Sequence, residues 1–229
     1  MNDVARWVSS LPSEWTEGCK GPLFAAAREC YQSPGRVYHA WSHVVDCVDK
    51  LRTFPCESGR SVFLALLFHD AIYDPGKSDN EERSAGQATR LLKEHSSLPE
   101  AEIVEISRFI RATKNHRVPP GEESRDLQAT LDIDMSILGA PAETYRAYTE
   151  GVRREYCPVV TSEALFAAGR VAFLSNVLAQ ATIFNTADGI AHWESTAREN
   201  IAEELDSLRA SQGLLSRVAS SVLRWRQGS

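Results

Sequence analysis

Apolar residues along this chain recur at intervals of three and four, and stretches that alternate with period two are scarce. Ile103, Ile106, Phe109 and Ile110 trace one such stripe, and Leu91 with Leu92 sits on another. Both have the spacing of one face of an α-helix. Val62 to Phe68 is apolar at every position, which suits a helix enclosed on all sides. The pattern predicts helices at about 22–32, 40–54, 61–73, 80–95, 99–114, 126–138, 141–156, 162–179 and 190–210, with a last one at 213–226. Asp79 with Glu82, and Ser97 with Glu100, have the spacing of capping boxes. Pro99 and Pro141 suit first helical turns. The turn-rich segments 74–80 and 118–124 read as loops, and neither has the character of a flexible interdomain linker. The expected architecture is all-α, a single compact helical bundle over 1–229.

Composition narrows the function classes. An apolar fraction of 43% and a charged fraction of 24% are those of an ordinary globular protein. A net charge of −6 argues against general nucleic-acid binding, which calls for a basic face. The five cysteines, at 19, 30, 47, 56 and 157, are odd in number and contain no Cys-x-x-Cys pair. Neither a disulfide framework nor a zinc ribbon is expected, and a reducing, cytoplasmic setting fits. The first residues lack the long apolar run of a secretory signal. The stretch Val62–Phe68 is too short to span a bilayer, so no membrane partner is expected.

Three segments carry candidate chemistry. The apolar run ending at Phe68 leads directly into His69-Asp70, with Asp74 following. A helix C-terminus is a poor place for carboxylates, because the macrodipole favours cations there. Burial of an unpaired carboxylate costs several kcal/mol unless it is neutralised, hydrogen-bonded or bound to a metal, and a His-Asp dipeptide by itself does not choose among these. In Tyr38-His39-Ala40-Trp41-Ser42-His43, the two histidines are four apart and would share a helix face. The zinc-protease pattern H-E-x-x-H is excluded, since Ala40 stands where its glutamate belongs. His39 reads first as a hydrogen-bonded core histidine, whereas His43 reads first as a site residue. In Leu131-Asp132-Ile133-Asp134-Met135, Asp134 lies beside the stripe formed by Leu131, Met135 and Leu138, whereas Asp132 points elsewhere, solvated or as a cap.

Taken in order, His43, His69-Asp70 and Asp134 resemble the HD-domain superfamily of metal-dependent phosphohydrolases. The phrases YHAWSHV, LLFHDAIYDP, DNEERSA and LDIDMSILG are similar to a subgroup identified only as HD phosphohydrolases. The resemblance covers about 30–140 as the metal-binding core and extends more loosely into a C-terminal helical part, 141–229. It implies a divalent metal (Mn, Fe, Ni, Co or Mg) held by His43, His69, Asp70 and Asp134. The absence of thiolate and the mixed nitrogen and oxygen donors agree with that range of ions.

The implied reaction is hydrolysis of a phosphate ester or anhydride on a small, nucleotide-like molecule. Some nucleotide-hydrolysing relatives carry His-Asp-x-x-Glu-Asp, and here Tyr73 replaces the glutamate while Asp74 matches the second acid. Asp74 is therefore a candidate to orient water, with Glu81 or Glu82 supplying the other carboxylate and Arg83 reaching a phosphate. Lys114 and His116, at a basic helix end, are candidate substrate ligands along with His39 and Arg153. Each has a plainer reading: cations at a helix end complement its dipole, and Arg153 with Glu155 can form a solvated face. A di-iron oxygenase using His39 and His116, and a non-catalytic nucleotide or metal sensor, are the alternative functions. A homodimer is an open alternative to a monomer.

Overall fold

The computed structural model describes residues 3–160 and 162–227, with side chains to residue 210. It is all-α, with no strand among the described residues. The helices are α1 (Asp3–Val8), α2 (Ser13–Thr16), α3 (Gly21–Cys30), α4 (Trp41–Leu51), α5 (Gly59–Phe68), α6 (Asn80–His95) and α7 (Glu100–Ala112). They continue with α8 (Arg125–Met135), a 3-10 turn over Ser136–Gly139, α9 (Ala142–Val160), α10 (Glu163–Leu178) and α11 (Ala187–Gln227).

Helix α5 is the axis of the larger core. Every residue from Ser61 to Phe68 is buried, as its unbroken apolar run requires. Helices α2, α4, α6, α7 and α8 pack around it. Its N-terminus is capped by Ser58, whose side chain accepts from the Ser61 amide. A second apolar cluster begins at Met135 and gathers α9, α10 and the first part of α11. The two clusters divide at residue 134. Trp193 of α11 packs against both, stacking flat on Phe54 at 5.2 Å.

Several local expectations change in the structure. Neither predicted capping box forms. Glu82 is drawn away by Arg111, at 2.6 Å, and Ser97 lies outside a helix that begins after Pro99. Helix α11 continues where a break at 211–212 was expected, since a glycine weakens a helix interior without forbidding it. Helices α1 and α2, of 6 and 4 residues, are too short to display a period. No helix among the described residues is long and apolar enough to cross a membrane.

Candidate metal centre

Four segments converge where the two apolar clusters divide. His43 stands on the first turn of α4, His69 and Asp70 follow the end of α5, Asp134 closes α8, and His116 follows α7. The ring nitrogens His43 Nε2 and His69 Nε2 lie 3.1 Å apart. Asp134 Oδ1 is 3.2 Å from the first and 3.4 Å from the second. Asp70 Oδ2 is 3.0 Å from His69 Nε2 and 3.9 Å from His43 Nε2. One donor atom each from His43, His69 and Asp134 falls within 4.8 Å of the others, a spacing that could hold a metal ion.

The donor chemistry fits a cation. His69 Nδ1 lies 2.9 Å from the Leu66 carbonyl and donates to it, which leaves the Nε2 lone pair facing the cluster. Two imidazole nitrogens and the Asp134 carboxylate at one spot, with the Asp70 carboxylate against His69 but outside that group of three, need positive charge between them. With only protons to supply it, His69 takes that role: burial opposes its charging, but Asp70 and Asp134 raise its affinity for a proton well above the usual. Burial likewise works against the ionised forms of Asp70 and Asp134. Against it stand the charge of His69 together with that of His39 at Asp70, and hydrogen bonds from His116, His43 and His69 at Asp134, and jointly these hold both below the ordinary carboxylate range.

The backbone around the cluster is tied in place by Arg36. Its guanidinium donates to the carbonyls of His39 (2.8 Å), Asp70 (2.7 Å) and Ala71 (3.1 Å). Tyr31 donates to the Leu67 carbonyl at 3.0 Å, fixing the end of α5. His39 is not on a helix with His43, because α4 begins at Trp41 and His39 lies in the bend before it. Its ring stacks on Tyr73 at 4.1 Å, and its Nδ1 is 2.6 Å from Glu155 Oε2. The other oxygen of Glu155 accepts three consecutive amides, from Val37 (2.6 Å), Tyr38 (2.7 Å) and His39 (2.9 Å). Glu155 is thus buried rather than part of a solvated face.

A cavity of about 500 Å³ opens beside the cluster. His39, His69, Asp70, Asp134 and His116 line it, together with Glu81 and Lys114. His116 Nε2 is 3.0 Å from Asp134 Oδ2. It reaches that position through a left-handed backbone, φ +50°, which is strained for a non-glycine residue. Lys114 donates to the Ser78 carbonyl at 2.7 Å, which fixes it at the cavity edge. The Tyr38 hydroxyl is buried with no hydrogen-bond partner and belongs to the same lining.

Three expected site residues lie elsewhere. Helix α5 ends at Phe68, so Asp74 is not one turn along a continuing helix. It is exposed, and its carboxylate accepts from the Gly76 amide at 3.0 Å within the loop. Arg83 is exposed beside Asp79. Arg153 pairs with Glu150 and Glu163 on the surface of α9. None of the three belongs to the cavity lining. Asp132 is also not solvated: it is buried and accepts from Asn185 and Thr186 ahead of α11.

Arg36 and Glu155 escaped sequence reasoning. The cluster in Arg153-Arg154-Glu155 resembles any charged helix face, and its partners lie more than a hundred residues away. The helical fold with its His–His–Asp cluster is compatible with an HD-type domain. No family model matches the chain, and no curated protein matches it.

Proposed function

We propose that the protein is an HD-type, metal-dependent phosphohydrolase acting on a phosphate ester of a small molecule. The observation that carries this reading is the cluster of His43, His69 and Asp134, with Asp70 beside His69, at one end of a cavity large enough for a small substrate. A divalent ion held by these four would supply a Lewis acid that polarises a phosphoryl oxygen and acidifies water. The chain's own residues do the rest. Lys114 and His116 sit where phosphate oxygens need cationic or donor groups.

His39 is arranged to move a proton. Glu155 fixes its Nδ1–H, leaving Nε2 for the cavity, so a protonated His39 can donate from Nε2 to the leaving oxygen. Water attacks phosphorus, the bond from phosphorus to the alcohol oxygen breaks, and the alcohol leaves with the proton from His39. Glu81, which lines the cavity, takes the proton from the attacking water, in place of Asp74. The products are inorganic phosphate and the free alcohol. Tyr38 offers its unpartnered hydroxyl to a substrate oxygen.

The test is release of inorganic phosphate from a panel of phosphate esters by the full chain supplied with Mn²⁺, Mg²⁺, Ni²⁺ or Co²⁺. The reading expects metal-dependent release that disappears in His69→Ala. Release that is equal in that variant, or absent with every ester and metal, would overturn it.

A further inference from the structure

The cavity has two chemically different walls. The wall beside the cluster carries His39, His69, Asp70, Glu81, Lys114 and Asp134. The wall supplied by α9 and α10 carries mostly apolar residues, among them Leu165, Phe166 and Phe173, with Tyr148, Tyr156 and Arg170 as its polar members. Helix α10 is apolar on more than one face. Leu174 and Val177 are buried within the second cluster, yet Leu165 and Phe173 remain 62% and 38% exposed at the cavity. Large apolar side chains left open beside a cavity mark a place where apolar ligand surface is covered.

The single cation of that wall is already spent. Arg170 donates to both oxygens of Glu204, at 2.8 and 3.1 Å, and to the Tyr148 hydroxyl at 2.9 Å. A phosphate therefore finds an available cation, Lys114, on the opposite wall. The α10 wall also offers few polar groups to read the edges of a base or the hydroxyls of a sugar.

Resting on the phosphohydrolase reading, we propose that the α9–α10 wall takes the alcohol part of the substrate as an apolar group. The substrate class is then a phosphate monoester of an aryl or alkyl alcohol, rather than a nucleotide or a sugar phosphate. Gly169 gives direct access to this wall, because a Cβ built there meets nothing within 4 Å. A larger residue at 169 would project into the cavity without displacing the core.

The experiment measures binding and turnover separately on the Mn²⁺-supplied full chain. Calorimetry reads affinities for 1-naphthylmethylphosphonate, methylphosphonate, AMP and glucose 6-phosphate, and phosphate release reads turnover of 1-naphthyl phosphate, AMP and glucose 6-phosphate. The naphthyl compound should bind at least about 30-fold more tightly than methylphosphonate, as its buried apolar area dictates. In Gly169→Leu that preference should fall at least tenfold. Leu165→Gln, at an exposed rim position whose change spares the core, should lower it in the same direction.

Naphthyl preference that responds to these variants, with no ester turned over, would keep the apolar wall and remove the hydrolase reading. Turnover that favours AMP or glucose 6-phosphate, or a naphthyl affinity indifferent to both variants, would overturn the apolar wall and leave hydrolysis standing. A stable dimer that covers Leu165 and Phe173 and excludes all four ligands would overturn it as well.

Discussion

The Glu155 carboxylate meets donors alone: three backbone amides on one oxygen and the His39 ring on the other. Burial pushes its pKa up, but the His39 bond and charge, then the amides, push it further down, to below the ordinary 4.5. A carboxyl depressed by folding stabilises the protein above its unfolded value, and that contribution is lost as pH falls through the folded value. Glu155→Gln keeps an oxygen for the amides but turns an NH₂ toward His39 Nδ1, opposing the proton there. Urea unfolding should show the variant weaker by about 1–3 kcal/mol at pH 7. The gap should narrow as the pH drops below about 4. A difference independent of pH would mean that the charge of Glu155 contributes nothing. Tyr38→Phe should behave oppositely. Removing a buried hydroxyl without a partner leaves stability unchanged or raised by up to about 1 kcal/mol. Phosphate release should fall about tenfold if the hydroxyl serves the substrate, and a marked loss of stability would reveal an unseen partner.

Among the elements, those with a strong period were legible and those held by tertiary contact were not. The run Val62–Phe68 announced α5, and the stripe on α7 announced its buried face. His43, His69-Asp70 and Asp134 could be picked out because each is polar on an otherwise apolar segment. The position of Asp74 was not readable, because the end of α5 at Phe68 turns the chain before the next helical turn. The bend carrying His39 likewise depends on Glu155 of α9, a partner that no local pattern reveals. The 3-10 turn after α8 has a similar long-range cause. A Cβ on Gly139 would stand 2.5 Å from Trp193 Cβ and 2.7 Å from the Trp193 carbonyl oxygen, so only glycine lets α11 approach. Gly139→Ala should cost about 1–3 kcal/mol through forced backbone shifts. Thermal unfolding checks this, and an unchanged midpoint would show that α11 is not packed against the turn.

For the whole molecule, the arrangement of two apolar clusters explains where the site lies. The first holds α4, α5, α7 and α8, which deliver His43, His69, His116 and Asp134. The second supplies the opposite wall of the cavity through α9 and α10. Sequence spacing indicated the residues of the cluster but not this junction, since the contacts between α11 and the turn at Ser136–Gly139 span some sixty residues. All further chemistry depends on whether the convergent donors bind an ion. The direct measurement is metal content per chain by mass spectrometry. It is made after loading with Mn²⁺ and removing the free ion, on the full chain and on His69→Ala and Asp134→Ala. One ion per chain, falling to a small fraction in each folded variant, is the predicted result. No ion in the full chain, or undiminished content in both variants, would contradict the metal centre.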